Sequence, residues 1–198
     1  MSYEETARGP VALRDKARRL LADAERLDGA LYSAIANTST PALDRALGRL
    51  TRAADHSKLS LAAAGVLAVA GKETGRRAAA RGLASLAVTS VIVNAGLKLA
   101  ARRRRPDPGG HSVPETRRVP MPISRSFPSG HSAAAFAFAT GVGEVSPGAA
   151  IPLRALAAIV AYSRVHTGVH YPADVIAGAL TGVSLAELTS LAILRGHP

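Results

Sequence analysis

The chain has 198 residues, a formal net charge of +11, no cysteine and no tryptophan. That length holds one domain with a real core, and the missing thiols exclude disulfides, thiolate metal sites and a cysteine nucleophile. The basic balance asks for an anionic partner, but the Lys and Arg residues sit at the ends of apolar segments without interleaved aromatics, which speaks for lipid headgroups or phosphorylated substrates and against nucleic acid.

In chain order, Met1 to Pro10 carries Glu4 and Glu5 and no apolar run, so no secretory signal peptide is expected. Val11 to Ala36 reads as an amphipathic helix, with Leu13, Ala17, Leu20, Leu21, Leu27 and Leu31 at helical spacing between basic residues. Thr40 before Pro41 reads as an N-cap and first-turn proline that open a short helix to about Ala54. Both helices are too charged to span a bilayer and suit its surface or another protein.

From Leu59 the chain turns apolar. Leu59 to Ala70 is short for a span, and Gly71 to Arg81 interrupts it with Lys72, Arg76 and Arg77. Gly82 to Ala101 has the length a bilayer requires. Arg102 to Pro128 is polar and reads as a long functional loop. Three more apolar segments follow: Ser129 to Val142, Ala149 to Ser163, and Ala173 to Leu194. Several are short enough that a buried soluble helix competes with a span. The expected fold is all-α, a bundle of five to six core helices, membrane-embedded, with an N-terminal amphipathic region over 1–56 and the bundle over 57–198.

Three clusters carry candidate chemistry. Lys98 and Arg105 are seven residues apart, so on a helix they lie two turns apart and can face one pocket. The plainer reading is a positive anchor beside a membrane helix. In Pro128-Ser129-Gly130-His131, Ser129 can cap the next helix, Gly130 lets backbone approach an anion, and His131 can donate a proton. An ordinary cap beside a solvated histidine is the plainer alternative. In the third cluster His170 and Asp174 are four apart, a spacing at which the carboxylate fixes the imidazole tautomer, and Arg164 adds a cation. His166 and His170 also have metal-ligand spacing, but the pattern lacks the glutamate of a helical zinc motif, and Pro172 interrupts the group.

Together the clusters resemble the type 2 phosphatidic acid phosphatase family, whose relatives include bacterial acid phosphatases and vanadium haloperoxidases. All eleven fixed positions of that family's pattern are present: Lys98, Arg105 and Pro106; Pro128, Ser129, Gly130 and His131; Ser163, Arg164, His170 and Asp174. The run Ala161 to Pro172 is similar to actinobacterial-type members. The resemblance covers about 59–194.

It implies that His170 attacks phosphorus and forms a phosphohistidine, Asp174 orients it, and His131 serves the leaving group. It also implies that Lys98, Arg105, Ser129, Gly130 and Arg164 hold the phosphate, with no metal and no cofactor. The expected activity is hydrolysis of a lipid phosphate or diphosphate of phosphatidate or isoprenoid type; a soluble acid phosphatase with the same site is the alternative. If Gly82–Ala101, Ser129–Val142 and Ala149–Ser163 each cross, the three clusters meet at one membrane face. The distribution of Lys and Arg places that face toward the cytoplasm.

Overall fold

The computed structural model describes residues 3–111 and 113–195, so positions 1–2 and 196–198 of the expected domain bounds lie outside the described residues. Every regular element among the described residues is helical. The helices are α1 (Tyr3–Asn37), α2 (Pro41–Ala53), α3 (Lys58–Ala70), α4 (Lys72–Ala100), α5 (Gly130–Gly143), α6 (Pro147–His166) and α7 (Pro172–Arg195).

Most expected segments are recovered, with two differences near α4. The run of charge at Lys72 to Arg81 does not interrupt a helix. Only Gly71 breaks the chain, and α4 starts at once, because exposed Arg76 can pair with Glu73 at 2.7 Å and leave the helix intact. The last turns of α4 are also wider than α-helical: Ile92–Leu97 form a π-helical stretch just before Lys98. At α2 the helix begins where Thr40-Pro41 predicts, but Thr40 offers no side-chain cap and donates instead to Asp44 at 3.0 Å.

The short helix α5 is the axis of the bundle. It packs against α4, α6 and α7, and Ala133, Ala137, Phe138, Ala139 and Val142 are all buried. Small residues allow the close approach. A methyl group at Gly178 of α7 would lie 2.4 Å from the Ser129 carbonyl, so only glycine lets α7 reach the start of α5. Lys72–Ala100, Pro147–His166 and Pro172–Ile193 are long and apolar enough to cross a membrane. Their outer faces expose Val91, Ile151, Ile159, Ile176, Leu180 and Leu188, a belt that lipid covers better than water.

Among the described residues, α1 is buried against the bundle at its last turns. Tyr32 and Ala36 are buried against Val113, Val165 and Val175, whereas Leu13, Leu20, Leu27 and Leu31 of the predicted apolar stripe stay exposed. Arg117 locks the junction. It is fully buried, donates to Asp44 at 2.7 Å and to the Ile35 carbonyl at 3.1 Å, and also contacts Thr38.

Candidate active site

The site forms where the end of α4, the start of α5, the end of α6 and the start of α7 come together. Ser129 is the N-cap of α5, its hydroxyl accepting from the Ser132 amide at 3.5 Å, and its own amide donates to the Asp174 carbonyl at 2.9 Å. That bond ties the second cluster to the third. Gly130 follows, and a methyl there would come within 3.1 Å of Lys98 Nζ, so its absence lets the ammonium approach the helix start. Buried Lys98 thus lies beside backbone N–H groups, an arrangement that favours an anion.

Arg105 reaches the site by a different route from the one expected. α4 ends at Ala100, Ala101 is extended, and Arg105 comes in along a non-helical strand of chain, not two turns up a helix. Extended chain carries it further than a helix would, about 3.3 Å per residue instead of 1.5 Å. Its guanidinium is braced by the Ser124 carbonyl at 2.8 Å and the Val169 carbonyl at 2.8 Å, and it donates to His170 Nε2 at 3.1 Å. Burial lowers the pKa of Arg105 from its usual value, an effect Asp174 opposes.

His170 and Asp174 form the expected pair, Nδ1 to Oδ2 at 3.4 Å, with both side chains almost wholly buried. With Nδ1–H directed at the carboxylate, Nε2 carries the lone pair that accepts from Arg105. Burial pushes the His170 pKa down to about 4; Arg105 and Arg164 act in the same direction, and Asp174 opposes them. The imidazole is therefore neutral across the physiological range.

Arg164, at the end of α6, is buried. Nη1 donates to Thr51 at 2.6 Å and lies 3.6 Å from Asp55, while Nε has no acceptor among the described residues. His131 directs Nε2 at Asp55, 3.0 Å away. All eight residues expected at the site converge. His166 does not: it turns to Asp44 at 3.0 Å, so it and His170 do not share a metal position. Among the described residues no cluster of three or more His, Cys, Asp or Glu has metal-binding geometry.

Several participants escaped the sequence reading. Ser126 contacts the Asp174 carboxylate. Arg103 donates to Asp174 at 2.9 Å, pairs with Asp28 of α1, and lies over the Tyr171 ring at 4.4 Å. Burial acts against the Arg103 charge, but Asp28 and Asp174 outweigh it and raise its pKa. Asp55 and Thr51 come from the N-terminal region. Arg103 stands in a run of four arginines, and neither Asp28 nor Asp55 has a spacing signal that links it to the clusters.

Comparison with known proteins agrees with this geometry. The pattern described as PAP2 superfamily matches residues 78–196. The decaprenylphosphoryl-5-phosphoribose phosphatase of Mycolicibacterium smegmatis is 34% identical over 166 residues, covering 80% of this chain and 84% of that protein. The lipid A 1-phosphatase of Rhizobium johnstonii is 34% identical over 111 residues, 50% of this chain and 41% of that protein. Among solved structures, Aquifex aeolicus LpxE superposes with a TM-score of 0.62 at 26% identity, over 82% of this chain and 94% of that one. A transmembrane PAP2-type phosphatidylglycerolphosphate phosphatase from Bacillus subtilis shares the fold, with a TM-score of 0.65 at 24% identity over 94% and 96% of the two chains. With the match spanning the bundle and all three clusters meeting at one end of it, this chain belongs to the PAP2 superfamily and is a membrane phosphatase of that family.

Proposed function

We propose that the chain removes phosphate from a lipid phosphate or diphosphate through a phosphohistidine at His170. The observation that carries this reading is the setting of the imidazole: Nδ1 lies 3.4 Å from the Asp174 carboxylate and Nε2 3.1 Å from the Arg105 guanidinium, an arrangement that favours the tautomer with its lone pair on Nε2. A neutral nucleophile beside a fixed cation suits attack on an anionic phosphoryl group.

Nε2 attacks phosphorus, and the bond to the leaving oxygen breaks as His131 gives that oxygen a proton. Water then attacks the phosphohistidine, His131 takes the water's proton, and inorganic phosphate leaves. Lys98, Arg105, Arg164, the Ser129 hydroxyl and the Gly130 amide hold the equatorial oxygens, where negative charge accumulates in the transition state. The Arg164 Nε that lacks an acceptor supports this assignment, because a buried donor without a partner costs stability unless a ligand satisfies it.

The substrate class is supported by the relatives, named for a decaprenyl-linked phosphoribose and for lipid A, and by a cleft of about 220 Å³. Lys98 and His131 line the cleft together with Phe138, Leu153 and Leu156, so it offers polar and apolar groups to one ligand. Placement of the site toward the cytoplasm rests on the basic N-terminal region and Arg102–Arg105 at its end of the bundle. It is checked by labelling a single cysteine, placed at exposed Ile123 of this cysteine-free chain, with a reagent that cannot cross the membrane.

The main test is phosphate release from a panel of lipid phosphates with EDTA present, comparing the parent with His170→Ala. Release that survives EDTA and vanishes in the variant is the expected result. No release from any substrate by folded parent protein would sink the assignment, and loss of activity in EDTA would move it to a metal mechanism.

A further inference from the structure

We infer that Asp55 is a positioning residue for His131, the group that serves the leaving alcohol; the inference rests on the function proposed above. Asp55 lies in the linker between α2 and α3, outside the residues 78–196 that match the family pattern. Its Oδ1 accepts from His131 Nε2 at 3.0 Å and lies 3.6 Å from Arg164 Nη1. With Nε2 engaged, Nδ1 is the nitrogen left to exchange a proton with substrate.

The linker is built to present this carboxylate. His56 and Ser57 both have left-handed backbone, at φ 57° and 58°, and neither is glycine. Each such residue costs about 1 kcal/mol or more, and two in succession persist only when the surroundings hold them. The strained pair separates α2 from α3 and sets Asp55 between Ala54 and His56, which line the cleft with His131.

The electrostatics give the carboxylate a task. Among the described residues the charged and titratable groups acting on His131 are Arg164 of α6, His170 ahead of α7 and Asp55, the one acid of the set, with Lys98 of α4 lining the same cleft. Burial and the Arg164 guanidinium both oppose a proton on His131, and Asp55 is the counter-charge that favours it. A group that acts through the proton donor matters most when the leaving oxygen is a poor leaving group, because an aryl oxide departs without protonation.

That difference defines the test. Parent, Asp55→Asn, Asp55→Glu and His131→Ala are purified in detergent and assayed on a dialkyl glycerol phosphate and on p-nitrophenyl phosphate across pH. The inference expects Asp55→Asn to lower kcat on the alkyl ester about thirtyfold, within the usual range for general-acid effects, with KM nearly unchanged. On the aryl ester it expects less than about a threefold loss. The basic limb of the alkyl profile, where His131 loses its proton, moves to lower pH, and Asp55→Glu restores part of the rate.

Equal losses on both esters, or a raised KM, would show that Asp55 holds phosphate or the fold and would overturn the inference. A faster Asp55→Asn enzyme would show the carboxylate to be a plug and would overturn it too. If His131→Ala discriminates between the esters and Asp55→Asn does not, only this inference fails. An inactive, folded parent overturns it together with the proposed function.

Discussion

At the start of α7, His170 finds its carboxylate four residues further on; at the start of α5, His131 finds one 76 residues back in the chain. The two environments differ as much as the two distances. The His170 pair is almost fully buried, whereas His131 and Asp55 keep side-chain exposures of 26% and 40%. A pair four residues apart is brought together by the short turn that leads into α7, where the Asp174 carboxylate also accepts from the Tyr171 amide. A pair joined across the chain depends on the N-terminal helices docking correctly, so the histidine proposed to serve the leaving group is tied to a region outside the family match.

The largest effect expected from that contrast is at the local pair. His170→Ala should reduce phosphate release by about a thousandfold or more, the scale for losing a nucleophile, with no phosphoenzyme detectable after acid-free quenching. A variant retaining more than a tenth of parental activity would remove His170 from the chemistry. Next comes the docking of the remote region. Arg117→Met leaves buried Asp44 without its guanidinium and should cost about 3–5 kcal/mol, read as a lowered unfolding midpoint in detergent.

Arg103→Leu then probes where the two arrangements meet, because Arg103 bridges Asp28 of α1 and Asp174 of the local pair. Loss of a charged hydrogen bond of about 1.5–3 kcal/mol predicts a fall in kcat of roughly ten- to a hundredfold. An unchanged rate would mean that Asp174 is held well enough by Ser126 and the Tyr171 amide.

The smallest effect is a pH dependence of stability. An unfolded histidine titrates near 6.5, whereas burial holds His170 down to about 4. Below pH 6.5 the unfolded state therefore binds a proton that the folded state does not. This group's contribution is flat above pH 6.5 and turns against folding, by about 1.4 kcal/mol per unit at most, as pH falls toward 4. Melting midpoints of parent and His170→Gln at pH 7, 5.5 and 4.5 should diverge accordingly, the parent losing more.

What could be read in the sequence follows the same division. Ser129, Gly130, His131, His170 and Asp174 are arranged by short-range rules, a cap and an i,i+4 pair, and the structure places them accordingly. The helices α5 to α7 were legible from apolar runs of the right length. The seven-residue spacing of Lys98 and Arg105 predicts one pocket from two helical turns, whereas the helix ends at Ala100, beside the Ala101 boundary that the composition marks, and Arg105 arrives along extended chain. Asp28, Thr51, Asp55 and Arg103 act only through tertiary contacts, and a lone acid or one arginine in a run carries no periodic signal. Helical spacing of apolar residues predicts an amphipathic α1, but Leu13, Leu20, Leu27 and Leu31 of its stripe do not face the bundle.

The convergence of all three clusters at one end of the bundle has a consequence for traffic in the bilayer. The protein can act only on headgroups in the leaflet that its site meets. Phosphate is shed to the water on that side, and the lipid alcohol stays in the leaflet where it began. A phosphorylated pool in the opposite leaflet is untouched until something carries it across, so the rate of flipping, and not the rate of hydrolysis, decides how fast that second pool can be drained.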